Sequence, residues 1–141
     1  MKKILIINSN YYKDISANLV INAKKNLSSA KFSLSKIDVP GIFEIPIAIR
    51  KNIKHFDGFV ALGCVIKGKT PHFDLICSST FNAILELSIN FNKPIGNGII
   101  TAFNINQATE RSKKFSSKKP NKGAEAAKAV ISILKNVPKK I

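Results

Sequence analysis

The run Gly58-Phe59-Val60-Ala61-Leu62-Gly63-Cys64-Val65-Ile66 is the most hydrophobic stretch of the chain and the strongest constraint on its fold. Residues 3–8, Lys-Ile-Leu-Ile-Ile-Asn, contain a shorter run of the same kind. Continuous apolar segments of this length are expected of strands covered on both faces, as in a parallel sheet between helical layers. From Asp14 to Leu27, apolar Ile15, Leu19, Val20, Ala23 and Leu27 recur at helical spacing. Phe32, Leu34 and Ile37 then alternate with polar residues up to Val39-Pro40-Gly41, where turn chemistry ends another strand. A short helix over Phe43 to Ile53 tolerates Pro46 only in its first turn. The polar loop Lys67 to Thr70 leads into a long helix, with Ile76, Thr80, Ala83, Ile84 and Leu87 predicted on its buried face. Pro94 to Thr101 read as a fourth strand interrupted at Asn97-Gly98. Two helices are expected near Asn106 to Phe115 and Ala124 to Leu134, with the lysine-rich stretch Ser116 to Lys122 between them.

Four strands alternating with helices predict a three-layer α/β/α sandwich around a four-stranded parallel sheet. At 141 residues the chain is expected to form one domain, residues 1–141. In such folds ligands bind outside the carboxyl ends of the strands. That rule selects Ser9 to Tyr12, Pro40 to Glu44, Cys64 to His72, and the segment from Asn97 onward, which are also the polar or glycine-rich strand exits.

Composition narrows the function classes. Hydrophobic residues make up 45% of the chain, which argues against wholesale disorder. No apolar run approaches the roughly 20 residues that span a bilayer. The start, Met-Lys-Lys-Ile-Leu-Ile-Ile-Asn, carries charge like a secretory signal, but its apolar stretch is four residues and no small-residue cleavage site follows. Cys64 and Cys77 lie in apolar surroundings without a CxxC or metal-ligand spacing, as expected of free thiols in a reducing cytoplasm. The formal net charge is +15, and of the 23 basic residues only Arg50 and Arg111 are arginines. Nucleic-acid readers favour arginine, and here the lysines are scattered, so a general residue-usage bias is preferred over a nucleic-acid partner. A positive field still draws anionic substrates to a cleft.

The segment Gly68-Lys69-Thr70-Pro71-His72-Phe73-Asp74 carries the chemistry. Thr70 suits an N-cap, Pro71 the first helical position, and Asp74 the first turn. Gly68 permits the close approach that a phosphate needs at a helix start. His72 falls in the first turn, where the positive helix end disfavours imidazolium and leaves a ring that can exchange protons. A histidine that only caps its helix is the alternative. Glu44 is either a helix-terminal acid or a carboxylate that binds hydroxyls. Arg111, retained in a lysine-dominated chain, suits bidentate anion binding or a surface ion pair. Tyr11 and Tyr12 could stack on a flat ring or pack at the core edge. His55 reads as solvated.

These segments resemble the lumazine synthase family. The resemblance rests on Val39-Pro40-Gly41-Ile42-Phe43-Glu44-Ile45-Pro46 and Gly63-Cys64-Val65-Ile66-Lys67-Gly68-Lys69-Thr70-Pro71-His72-Phe73-Asp74, then on Asn104-Ile105-Asn106-Gln107-Ala108 with Glu110-Arg111, and Asn121-Lys122-Gly123-Ala124-Glu125-Ala126-Ala127. It implies a flavodoxin-like fold. It also implies condensation of 5-amino-6-(D-ribitylamino)uracil with 3,4-dihydroxy-2-butanone 4-phosphate, without metal or organic cofactor. By match to the motifs, Tyr11 would stack on the pyrimidine, and Ile42, Phe43 and Glu44 would hold the ring and ribityl chain. Cys64, Val65 and Ile66 would contact the pyrimidine through backbone groups. Asn97 would stand in the wall of that site, where the family often has Phe. Lys69 and Thr70 would hold phosphate through backbone N–H groups, Arg111 would clamp it from a neighbouring subunit, and His72 would transfer protons. The resemblance further implies a cytoplasmic homo-oligomer, a pentamer or multiples of it, with no nucleic-acid or membrane partner. The chain departs from the family pattern at Lys67, where Arg is usual, at Lys69, where a small or acidic residue is usual, and at Phe103, where Glu is common. A flavin-binding module of the same fold and a basic nucleic-acid-binding protein are the rival readings.

Overall fold

Each predicted strand appears in the computed structural model, which describes residues 1–113 and 120–141. Among these residues the order is β1 (Lys3–Ser9), α1 (Lys13–Ser29), β2 (Ser33–Val39), a 3-10 turn (Ile42–Glu44), α2 (Ile45–Asn52), β3 (Gly58–Ile66), α3 (His72–Phe91), β4 (Ile95–Ala102), α4 (Ile105–Ser112) and α5 (Lys122–Lys135). All pairings are parallel, and the strand order is β2-β1-β3-β4. That order is the flavodoxin-like arrangement, whose topological switch point lies between β1 and β3. Among the described residues no helix is long and apolar enough to cross a membrane.

Alternation along the strands divides the core into two layers. Ile4, Ile6, Val60, Leu62 and Ile100 face α1, α4 and α5, meeting Leu19, Leu27, Ala108, Ala127 and Val130. Leu5, Ile7, Phe59, Ala61 and Ile99 face the other way, against Ile45 and Ile49 of α2 and Cys77 and Ile84 of α3. The continuous apolar runs are therefore strands with both faces covered. Each fully buried aliphatic side chain contributes roughly 1.5–3 kcal/mol, against about 1 kcal/mol for a helix cap, so the sheet dominates the local energetics.

The layer of α5 sits unusually close to the sheet. A Cβ on Gly96 would stand 2.2 Å from the Ala126 carbonyl oxygen, and one on Gly98 2.5 Å from Leu62 Cδ2. Asn97-Gly98, expected to interrupt this strand, does not: Asn97 pairs with Ala61 and Gly98 with Leu62 inside a continuous β4. The glycine there makes room for a helix rather than a turn. Asn121 caps α5 by accepting from Ala124 N–H at 3.0 Å, and its Nδ2 donates to the Ser112 carbonyl at 2.7 Å, tying the end of α4 to the start of α5.

Two helix boundaries moved. The helix expected near Asn106 to Phe115 is α4, ending at Ser112; Phe115 and Ser116 to Lys119 fall outside the described residues. The long helix begins at His72, with Pro71 as the residue before it, so Thr70 is not the N-cap; its hydroxyl still accepts from His72 N–H at 3.4 Å. On α3, Cys77, Thr80 and Ile84 are buried, whereas Ile76, Ala83 and Leu87 are only half-buried. Leu75, Leu85 and Ile89 point outward, leaving a face of this layer uncovered in the single chain.

Gly96→Ala should lower stability by roughly 1–3 kcal/mol, the usual cost of overpacking, because its new methyl meets backbone rather than a movable side chain. A Cβ on Gly68 meets nothing within 4 Å, so Gly68→Ala should leave the denaturation midpoint near wild type. Equal midpoints for the two variants in urea unfolding would contradict the packing described.

Candidate active site

The carboxyl ends of β1 and β3 open on the sheet edge where the predicted residues gather. Ile42 is buried beneath the 3-10 turn, which throws Phe43 outward to 61% exposure. The turn is closed by Glu44 N–H donating to the Gly41 carbonyl at 3.3 Å. The Glu44 carboxylate folds back over Gly41, where a Cβ would lie 3.2 Å from Oε1. His72 starts α3 across from this turn. Phe43, Glu44 and His72, with Gly41, Leu75 and Ser79, line one open cleft of about 400 Å³. A second cleft of about 360 Å³ adjoins it, sharing Phe43, Glu44 and Ser79 and reaching Thr80, whose buried hydroxyl has no hydrogen-bond partner.

Cys64 is buried at the end of β3, and Val65 and Ile66 are half-buried beyond it, so the strand's last residues meet the exit with backbone and aliphatic side chains. Burial pushes the Cys64 thiol up to about 11. The Cys77 thiol is also raised, by burial and then by the nearby Asp74 carboxylate. Both cysteines are free. A thiol held neutral by desolvation is a poor nucleophile, which leaves Cys64 a packing role and a backbone contact. Lys67, Gly68, Lys69 and Thr70 form an exposed loop between β3 and α3.

Tyr11 stands in the bend after β1, 73% exposed, with its ring 5.0 Å from that of Tyr12 in an edge-to-face arrangement. Tyr12 is half-buried against the α1 side of the core, and its hydroxyl is raised, first by burial. The two tyrosines thus split the alternatives: Tyr12 packs at the core edge, and Tyr11 presents its ring to solvent.

Arg111 and Asn97 are elsewhere. They line a separate cleft of about 340 Å³ on the flank of β4, together with Phe81, Thr101, Lys122 and Glu125. Asn97 is half-buried there, its Oδ1 accepting from Ile99 N–H at 3.1 Å. Lys122 Nζ lies 3.6 Å from Glu125 Oε2, one helical turn apart on α5. The single chain therefore brings Phe43, Glu44 and His72 together and holds Arg111 and Asn97 apart from them. Lys122 and Glu125 lay within the Asn121 to Ala127 motif but were given no site role, and Ser79 was not singled out by the sequence. Among the described residues no three of His, Cys, Asp and Glu stand together as metal ligands.

Residues 1–137 match the family model described as 6,7-dimethyl-8-ribityllumazine synthase. A protein of that name from Bartonella tribocorum is 40% identical over 135 residues, covering 94% of this chain and 89% of the relative. One from Campylobacter jejuni is 42% identical over 137 residues, with 94% and 87% covered. One from Afipia carboxidovorans is 36% identical over 140 residues, with 94% and 84% covered.

With its pKa raised to about 11, Cys64 carries only about a thousandth of its thiol as thiolate at pH 8. Iodoacetamide should therefore label the native chain slowly at pH 8 and faster as the pH approaches that value, while the urea-unfolded chain labels readily. Fast stoichiometric labelling of native Cys64 at pH 8, located by peptide mass mapping, would contradict this environment.

Proposed function

The chain belongs to the 6,7-dimethyl-8-ribityllumazine synthase family, and on that premise we propose how its residues divide the work. The enzyme condenses 5-amino-6-(D-ribitylamino)uracil with 3,4-dihydroxy-2-butanone 4-phosphate to 6,7-dimethyl-8-ribityllumazine, releasing phosphate and water, in riboflavin biosynthesis. The observation that carries the assignment of roles is the separation of two clefts, one with Phe43, Glu44 and His72, the other with Arg111 and Asn97.

The pyrimidine lies over the ends of β1 and β3, stacked on Tyr11, with Ile42 and Phe43 as its floor and wall and the backbone of Cys64, Val65 and Ile66 along its edge. Glu44 accepts the ribityl hydroxyls. The backbone N–H groups of Lys69 and Thr70 hold the phosphate of the second substrate beside the start of α3. His72 stands between these two regions. The amino nitrogen of the uracil attacks the ketone carbon, and its proton must leave as the carbonyl oxygen gains one. The resulting hydroxyl then departs as water with a second proton, forming the imine. Phosphate leaves as its C–O bond breaks, with loss of a proton from the neighbouring carbon. A histidine can carry each of these protons, which typically contributes 10²–10⁴-fold. Holding two substrates in register can supply roughly 7–11 kcal/mol more.

Arg111 completes the phosphate site from a neighbouring subunit, and Asn97 enters the same shared site beside it. The oligomer is a pentamer or a multiple of it, and the exposed apolar face of α2 and α3 supports association. Ile47, Leu75, Leu85 and Ile89 are exposed on these helices, Ile47 and Leu75 each sharing a cleft with Phe43, and exposed apolar patches mark interaction sites. The whole chain acts as one domain in the cytoplasm, a setting that suits its two free thiols.

His72→Ala should reduce kcat by about 10²–10⁴-fold with the fold intact. Arg111→Ala should mainly raise the KM for the phosphorylated substrate, by roughly 10- to 150-fold for a lost charge-assisted contact of about 1.5–3 kcal/mol. Wild-type kinetics in both, followed by lumazine fluorescence, would overturn the assignment.

A shared site makes a further demand. Unfolding the His72→Ala and Arg111→Ala proteins together and refolding them as a mixture should recover activity, because some interfaces then pair an intact His72 with an intact Arg111. A mixture no more active than the sum of its parts would place both residues in one subunit's site.

A further inference from the structure

The loop that precedes His72 has no packing of its own. Lys67, Gly68, Lys69 and Thr70 are all exposed, and a Cβ on Gly68 would meet nothing within 4 Å. Its position depends on what fixes its two ends. At the far end α3 supplies the anchor: Leu75 N–H donates to the Pro71 carbonyl at 3.1 Å, and Thr70 Oγ1 accepts from His72 N–H at 3.4 Å.

At the near end the anchor is Lys67. Its N–H donates to the Ala102 carbonyl at 2.9 Å, extending the β3–β4 pairing by one step. Its ammonium lies 5.5 Å from the centroid of the Phe103 ring, within the range of a cation–π contact. Phe103 is 66% exposed, so the core does not hold its ring. Its backbone is held instead: Phe103 N–H donates to Gln107 Oε1 at 2.8 Å, and Gln107 N–H donates to the Asn104 cap at 2.9 Å. A continuous set of contacts runs from the first turn of α4 through Phe103 to the residue before the loop.

We propose that Lys67 and Phe103 form a clasp that positions the Gly68–Thr70 loop and so sets the affinity of the site for the phosphorylated ketone. The proposal rests on the assignment of the loop's N–H groups to phosphate. Lys67 is a positioning residue: with its ammonium over the Phe103 ring, it acts on the substrate through the loop that follows it. An exposed cation–π contact is equivalent to a factor of about two to five in an equilibrium constant.

The test is a double-mutant cycle read in the steady-state kinetics of the intact assembly. Phe103→Leu and Lys67→Met should each raise the KM for 3,4-dihydroxy-2-butanone 4-phosphate by about two- to fivefold, with kcat and the KM for the uracil nearly unchanged. The Ki of inorganic phosphate as a competitor should rise in parallel. The double variant should be no worse than either single one, and Phe103→Tyr, which keeps a ring beneath the ammonium, should stay close to wild type. Additive losses would mean that Lys67 meets the phosphate directly. Unchanged KM values in the single variants, or a Phe103→Tyr as impaired as Phe103→Leu, would also overturn the clasp. Lys69→Pro, which removes one loop N–H donor, separates the two levels of the argument. If it raises the KM while the clasp variants do not, only the clasp fails; if it too leaves the KM unchanged, the phosphate role of the loop fails.

Discussion

A strand buried on both faces can show chemistry only where it ends. β3 is such a strand from Gly58 to Cys64, and β1, beside it, is buried from Ile4 to Ser9. Every polar function near them is pushed to the carboxyl end, where the backbone leaves the sheet and side chains regain solvent. The switch point between β1 and β3 then spreads their connections apart, since one chain continues into α1 and the other into α3. The Phe43–Glu44 turn and His72 owe their gathering to this geometry, and Tyr11 leaves the sheet at the same end. The cleft follows from the sheet, and the sheet follows from the length of two apolar runs.

The same constraint explains why β4 differs. Among the described residues it is an edge strand, with β3 on one side and no partner on the other. Its interior-facing glycines admit α5 to backbone contact, while Asn97 and Thr101 turn towards a cleft with Arg111. An edge of this kind has unpaired backbone groups and must be managed. Here Asn97 does part of that locally by taking the Ile99 N–H onto its side chain.

The fold was legible because burial on two faces leaves a strong signature: residues 58–66 were delimited to the residue, and the other strands to within one or two. What the sequence obscured was local chemistry that tertiary contact overrides. Asn-Gly is a turn signal in isolation, yet Gly98 is small because Leu62 and Ala126 crowd it. Thr70 has the chemistry of a cap, but α3 starts two residues later, and boundaries of that kind are set by the last turn's packing rather than by composition. In the site, His72, Glu44 and Phe43 could be found because each sits at a strand exit within a distinctive segment. Lys122 and Ser79 could not, since one is a lysine among 21 and the other a small polar residue on a long helix. Only the fold brings Lys122 next to Arg111 and Ser79 next to Glu44.

The positive charge acquires a place in this account. A chain of net charge +15 repels its own copies, so the proposed association would have to be driven by surfaces where charge is sparse. α3, which carries no lysine or arginine, meets that requirement: Leu75, Leu85 and Ile89 are exposed on it, and Leu75 lines the cleft with Phe43. In the proposed assembly the apolar face would lie next to the candidate cleft, and closing it would remove water from the region where a neighbour's guanidinium is proposed to arrive. Charge interactions with a bound phosphate strengthen as water is excluded. The surplus lysines can remain on the outer surface, where they raise the local concentration of an anionic substrate. Association and phosphate binding would then use one surface, and a neighbour would complete the residues that look unfinished in a single chain.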